Sequence, residues 1–275
     1  MSVIETRGLT KEYGDVTAVT DVDLTVEPGE IHGFVGHNGA GKTTTMQMLT
    51  GLVTPTRGEA YIGGDPAGTR AATERIGYAP QDPSFYESMT GRDYLVYMGT
   101  LSAVEGSARE RADELLARLD LTGAADQAVG GYSGGMLRRL AVGQAMLGDP
   151  ELLILDEPTA ALDPEGRAMI IDALETLTDE GTTIFVSSHV LTELEQFIDT
   201  VTFLEEGQVV ASGPLAAVLS STAAEQHVVD ASDNDRLADL LAANEPVDGA
   251  HRGDDGHGVV TTDAPAGVAH VLPRI

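Results

Sequence analysis

The segment Gly36-His37-Asn38-Gly39-Ala40-Gly41-Lys42-Thr43-Thr44 carries the pattern G-x-x-x-x-G-K-[ST], whose chemistry is the holding of a phosphate chain. Glycines lack the Cβ that keeps a backbone away from an anion, and they enter dihedral regions that other residues avoid. The N–H groups of such a loop, with the N-terminus of the helix after it, make a concave site for negative charge. Lys42 is spaced to reach the β- and γ-phosphates, and the Thr43 hydroxyl to ligand Mg2+. Only two of the 16 basic residues are lysines, Lys11 and Lys42. A position that keeps lysine against that bias needs a compact point charge rather than the planar fork of arginine.

The second constellation is Leu152-Leu153-Ile154-Leu155-Asp156-Glu157-Pro158, an apolar run ending in two carboxylates. If the run is a strand of a parallel sheet, both acids emerge at its carboxyl end, where such sheets bind ligands. Asp156 then fits the Mg2+ shell, and Glu157 can orient or deprotonate an attacking water. Alone, the pair would also read as solvated turn acids; beside a phosphate loop it reads as a site.

The elements that must position these groups follow from hydrophobic patterning. Ile31 to Val35 follows the turn at Pro28-Gly29 and reads as the strand feeding the loop, with Thr43 to Leu52 as the helix after it, ending near Gly51. Ile76 to Ala79, Leu152 to Leu155 and Thr182 to Ser187 read as further short strands, and Pro164 to Leu177 as a helix. Strand and helix in alternation predict a largely parallel sheet with crossover helices. Val3 to Arg7 and Val19 to Val26 alternate apolar and polar residues, and Gly58 to Gly64 is a short strand between glycines, which adds an N-terminal β part. From Tyr86 to Met146 the period is helical; Ala112, Leu115, Leu116 and Leu119 form one stripe of a helix over Arg109 to Leu121. A helical subdomain, about residues 85–148, is therefore inserted in the α/β core.

From residue 221 the composition changes. Glu225 to Ile275 holds ten acids, three arginines and four of the seven histidines. Leu237, Leu240 and Leu241 mark a helix within Asp233 to Glu245, and Val228-Val229 and Val259-Val260 mark strands. The expectation is a first domain over 1–220 and a small α/β appendage over 221–275, the alternative being a mostly solvated acidic tail. His227, His251, His257 and His270 have irregular spacing with no i, i+4 pair, so an accessory role in dimer contact or regulation is expected rather than metal binding.

At this point the chain resembles the ATP-binding subunits of ATP-binding cassette (ABC) transporters over roughly residues 2–220. The resemblance implies a phosphate-loop NTPase core in an α/β fold: a largely parallel sheet, an N-terminal antiparallel β part, the inserted helical subdomain and the small C-terminal appendage. Tyr13 resembles the aromatic that stacks on adenine. Gln81, in Tyr78-Ala79-Pro80-Gln81, resembles the glutamine that senses Mg2+ and the γ-phosphate, and lies 39 residues after Lys42. Tyr132-Ser133-Gly134-Gly135-Met136 is similar to the signature motif, Asp156 and Glu157 to the metal-side aspartate and the catalytic base, Ala161-Leu162-Asp163 to the loop across the dimer interface. His189, 32 residues after Glu157, resembles the switch histidine. The implied site is composite. One subunit supplies Lys42, Thr43, Gln81, Asp156, Glu157 and His189. The other supplies Ser133, Gly134 and Gly135, so that two chains sandwich two ATP molecules with Mg2+ about a two-fold axis. The implied partners are a membrane permease on a separate chain and a second ATPase subunit, identical or paralogous.

The signature departs from the usual pattern at both ends, with Tyr132 in place of leucine and Met136 in place of glutamine. The serine and both glycines are intact, so activity is expected to survive. A Tyr-start, Met-end signature followed by Arg138 and Arg139 resembles the subgroup that serves exporters of drugs, sodium or other small molecules. The alternative is a soluble ABC-type ATPase. Translation-type members carry two cassettes and one phosphate loop is present here; repair-type members insert a long coiled coil, and only 91 residues separate Lys42 from Ser133. Glu157 and His189 argue against a regulator without turnover.

Composition bounds the rest. The net charge is −28, a field that repels nucleic-acid phosphate, so no nucleic-acid partner is expected. Without cysteine there is no disulfide, thiolate metal site or cysteine nucleophile. Apolar runs fall far short of the roughly 18 residues of a membrane span, and Met1 to Thr10 has no apolar signal core. The expected location is the cytoplasmic face of the membrane, held peripherally by the permease. Acid excess with lysine depletion reads as adaptation to a cytoplasm of molar salt, which screens self-repulsion, against an ordinary acidic protein. Four of the twelve aromatics, Phe85, Tyr86, Tyr94 and Tyr97, cluster after Gln81 with Met89 and Met98. In the family this region borders the groove that receives the permease, so part of the cluster is a candidate docking surface; the other reading is the insertion's own core.

Overall fold

The computed structural model describes residues 2–102, 106–160, 162–222, 225–229, 249–252 and 258–262. The chain divides into two compact units, Met1–Leu215 and Ala216–Ile275. The first begins with strands β1 (Ile4–Tyr13), β2 (Val16–Val26) and β3 (Ile31–Val35), helix α1 (Lys42–Leu49), strands β4 (Arg57–Ile62) and β5 (Asp65–Pro66), helix α2 (Arg70–Thr73) and strand β6 (Ile76–Ala79). Helices α3 (Gly91–Leu101), α4 (Ala108–Arg118) and α5 (Gly134–Ala145) follow. The unit closes with β7 (Leu152–Leu155), α6 (Pro164–Asp179), β8 (Thr183–Ser188), α7 (Leu191–Leu194), β9 (Thr200–Glu205) and β10 (Gln208–Pro214).

An antiparallel sheet runs in the order β2-β1-β4-β5. In β1 the buried residues are Ile4 and Thr6, then Leu9 and Thr10, so the alternation slips by one near Gly8. The ladder to β2 shifts register between Thr6 and Leu9, where Gly8 has φ 56°. A strict two-residue period ends the strand at Arg7; the bulge carries it on to Tyr13.

The second sheet has the order β10-β9-β3-β8-β7-β6. β3, β6, β7, β8 and β9 are parallel and only β10 runs against them. Every residue of β3, β7 and β8 is buried, as in strands covered on both faces, which explains the continuous apolar run of β7 and the apolar centres of the other two. The terminal strand β10 alternates exposed and half-buried residues, and its mixed composition gives little sequence signal. α1 buries Met46, Met48 and Leu49 in a core that also holds Ile4, Val22 and Ile62 of the first sheet and Phe34, Ile154 and Phe185 of the second. The helix after the phosphate loop is thus anchored by both sheets.

Local rules set the helix ends. Thr90, Ser107, Ser133 and Asp163 cap α3, α4, α5 and α6 by accepting from a backbone N–H three residues on. Gly51, with φ 77°, stops α1. The apolar stripe of α4 predicts a helix to Leu121, but the helix ends at Arg118. Leu119 and Leu121 are buried, yet Asp120 between them is left-handed with φ 50°, which a helix cannot continue through.

The second unit is reached through α8 (Leu215–Thr222). Its described strands β11 (Glu225–Val229), β12 (Gly249–Arg252) and β13 (Gly258–Thr262) form an antiparallel sheet in the order β11-β13-β12. The predicted strands at Val228 and Val259 pair directly with each other. The helix predicted over Asp233 to Glu245 lies outside the described residues. The composition change predicts a boundary after residue 220; the division into units falls at Leu215, where α8 starts.

Candidate nucleotide site

Parallel pairing puts the carboxyl ends of β3, β6, β7 and β8 on one edge of the sheet. Val35 leads there into Gly36, Ala79 into Pro80-Gln81, Leu155 into Asp156-Glu157, and Ser188 into His189. The phosphate loop turns back against β9: a Cβ on Gly36 would lie 2.3 Å from the carbonyl oxygen of Leu204. Gly41 closes the loop at φ 104°, and a Cβ there would meet the Ala18 carbonyl at 2.5 Å. Neither place admits a side chain. The loop, Gln81, Ala18 and Glu157 surround a cavity of about 370 Å³, with Asn38, Gly39, Lys42, Thr43 and Thr44 on its wall.

Lys42 is buried, and its Nζ donates to the carbonyls of Gly36 at 2.6 Å and His37 at 3.3 Å. The same ammonium lies 3.3 Å from Glu157 Oε1, while Glu157 Oε2 accepts from His189 Nδ1 at 2.7 Å. Glu157 is 4% exposed and has φ 52°, a conformation that costs a non-glycine residue about 1–3 kcal/mol. Its N–H donates to Ser187 Oγ at 2.9 Å, and that hydroxyl donates to Asp156 Oδ1 at 2.7 Å. Ser187 therefore fixes both carboxylate residues. Sequence reasoning does not single it out, although two serines ending an otherwise apolar strand are the available signal.

Asp156 is 1% exposed, and its Oδ2 is buried without a hydrogen-bond partner. A carboxylate oxygen removed from water and left unpaired is costly, and a hydrated divalent cation is the chemistry that would satisfy it. Thr43 is on the cavity wall, and its hydroxyl with the Asp156 carboxylate gives an all-oxygen donor set, which suits Mg2+. Burial, with a contribution from Asp156, pushes the Tyr78 phenol up to about 12, so it stays a neutral neighbour.

Other predicted site residues lie elsewhere. Tyr13 ends β1, 48% exposed, with Lys11 Nζ 5.0 Å from its ring centroid; it is not on the cavity wall. His37 is exposed and turns its Nδ1 to the Asn38 carbonyl at 2.8 Å. Ser133 and Gly134 are exposed and Gly135 half-buried at the start of α5, and none of the three lines the phosphate cavity of its own chain. Tyr132 is buried in leucine's usual place, and its hydroxyl donates to the Ala124 carbonyl at 2.8 Å. Of the interface loop, Leu162 is buried and Asp163 caps α6; Ala161 lies outside the described residues. The aromatic cluster splits. Tyr94 is buried and donates to Gln144 Oε1, with Phe85 edge-on at 5.2 Å, whereas Tyr86 and Tyr97 are 55% and 39% exposed.

A parallel sheet, a glycine loop leading from β3 into a helix, and two carboxylates at the end of the parallel strand β7 define a phosphate-loop nucleoside triphosphatase. The ABC transporter family matches residues 19–160. The daunorubicin/doxorubicin resistance ATP-binding protein DrrA of Streptomyces peucetius is 38% identical over 87% of this chain and 74% of its own length. The Nod factor export ATP-binding protein I of Cupriavidus metallidurans is 40% identical over 77% and 71%. Among solved structures, the ATP-binding subunit of an ABC transporter superposes with a TM-score of 0.72 at 28% identity, covering 79% of this chain and 92% of that one. A dimeric post-hydrolysis cassette bound to ADP and Pi gives 0.71 at 25% identity, covering 77% and 98%. The chain belongs to the ABC transporter family, as its ATP-binding and ATP-hydrolysing subunit.

Proposed function

We propose that this chain energises an exporter by closing on a second ATPase subunit around Mg-ATP. The carrying observation is the bridge from Lys42 through Glu157 to His189 beside the glycine loop: a buried carboxylate held between a phosphate-binding ammonium and an imidazole. Lys42 and the loop N–H groups bind the phosphates, and Tyr13 offers an exposed ring to adenine. Thr43, Gln81 and Asp156 are the candidates to hold Mg2+, which supplies charge neutralisation at the β- and γ-phosphates. Glu157 orients the attacking water and accepts its proton, and His189 fixes the carboxylate and adds a donor towards the γ-phosphate. Phosphoryl transfer needs mainly positioning and charge neutralisation, and this arrangement supplies both.

The turn Ser133–Gly135 is the part assigned to the facing subunit, identical or paralogous. Closing it over the phosphates excludes water and adds donors; loss of the γ-phosphate removes what bridges the halves, and their reopening is delivered to a permease. Among the described residues no helix is long and apolar enough to cross a membrane, so a separate permease and a place at the cytoplasmic face suit this reading. The names of the relatives, drug resistance and Nod factor export, favour an exporter. The exposed pair Tyr86 and Tyr97 is the candidate permease contact. The test is Mg-dependent ATPase of the purified chain together with its co-purification from native membranes. Turnover lost in Lys42→Ala, and a hydrophobic permease retained with the wild type, are expected. Active enzyme that never retains a permease would favour a soluble role.

A further inference from the structure

Arg138 stands outside the machinery assigned above. It lies on α5, whose cap and first turn are Ser133, Gly134 and Gly135. Its Nη1 donates to the backbone carbonyl of Gln81, 57 residues earlier in the chain and on the wall of the phosphate cavity. The neighbouring Arg139 goes elsewhere: its Nη1 donates to the carbonyls of Leu119 and Asp120, at 3.0 and 3.2 Å. Two adjacent arginines thus clamp α5, one to the residues just after α4 and one to the Gln81 loop. Burial holds the Arg138 guanidinium below its usual value, and Asp82, Asp156 and Glu157 act against that by favouring its charge. An arginine half withdrawn from water, within the field of both site carboxylates and bonded to a loop carbonyl, is unlike the solvated arginines of the surface.

From Ser133 to Arg138 is about 7.5 Å of helix, at 1.5 Å per residue. Over that length a helix moves as a rod, so what displaces the Gln81 loop also displaces the signature turn. In the composite arrangement those two ends serve different nucleotides. Gln81 faces the ATP on its own phosphate loop, and Ser133–Gly135 face the ATP on the partner.

We propose that Arg138 is a positioning residue that couples the two ATP sites of the assembled pair, by tying Gln81 in one site to the signature turn that completes the other. The proposal rests on the composite-site reading. Ordering Gln81 around one bound ATP then orders the signature turn in advance for the second, which lowers the ordering cost there and gives positive cooperativity.

The experiment measures ATPase rate against Mg-ATP concentration for the wild type, Arg138→Met and Arg138→Lys, with a melting curve for each. Methionine keeps an unbranched stem and removes every donor, while lysine keeps the charge and a compact ammonium donor in place of the planar fork. The wild type is expected to show a Hill coefficient clearly above one. Arg138→Met brings it to one and raises the half-saturating Mg-ATP concentration, as loss of a coupling of about fivefold or more between the two binding steps requires, at an unchanged melting temperature. Arg138→Lys restores part of the cooperativity. If Arg138→Met does not fold, Arg138→Ala is read in the same way. A wild-type Hill coefficient in the methionine variant would overturn the coupling role, and so would a coefficient of one in an active wild type; both leave the site reading standing. A wild type without any Mg-ATPase would overturn the site reading and this proposal together.

Discussion

Glu157 Oε2 lies 2.7 Å from His189 Nδ1, although 32 residues, including α6 and β8, separate them. The contact exists because β7 and β8 are neighbours in parallel register, so residues just past their ends meet. It places a buried carboxylate where a water-activating base is needed. Glu157→Gln keeps size and most hydrogen bonding and removes the base. ATP binding is expected to persist while turnover falls at least about 100-fold, in the range that general-base loss produces. A steady-state ATPase assay checks this, and near-normal turnover would refute the assignment of the base.

Ser187 joins Asp156 Oδ1 to the Glu157 N–H in a fully buried position. Ser187→Ala leaves both groups without that partner, at a cost of about 1–3 kcal/mol. Melting temperature and ATPase rate are both expected to drop, whereas Ser187→Thr, which keeps a hydroxyl, retains more of each. An alanine variant of wild-type stability and rate would show that the bridge does not hold the carboxylates.

The aromatic cluster gives a contrast within one segment. Tyr86→Ala is expected to leave melting temperature and basal ATPase unchanged and to abolish ATPase coupling to transport in reconstituted vesicles. Tyr94→Ala removes a buried ring and its hydrogen bond to Gln144, and is expected to destabilise the fold by about 3–5 kcal/mol. Equal loss of stability in both would assign the whole cluster to the core.

A net charge of −28 predicts strong salt dependence. Screening shortens the reach of repulsion to about 3 Å at 1 M ionic strength, so the melting temperature is expected to rise from low to molar KCl. A melting temperature that does not rise would remove the adaptation to molar salt.

Much of the site is legible in the sequence because its parts sit where strand meets loop. The both-face burial of β7 writes itself as an unbroken apolar run and that of β3 and β8 as mostly apolar ones, and the chemistry follows each strand: Gly36 after Val35, Asp156 after Leu155, His189 after Ser188. What is not legible depends on three-dimensional neighbours. β10 is half exposed and carries no clean period, and the slip at Gly8 hides that β1 is one strand. Ser187 reads as an ordinary strand residue until Asp156 is seen beside it. Arg138 reads as a subgroup marker until its donor is found on the Gln81 carbonyl.

The composite site is tested most directly by the solution mass of Glu157→Gln, measured by light scattering in molar KCl with and without Mg-ATP. The account predicts one chain of 28.7 kDa without nucleotide and twice that mass with it, because trapped ATP bridges the phosphate loop of each copy to Ser133–Gly135 of the other. A mass that stays at a single chain while ATP is bound would contradict it.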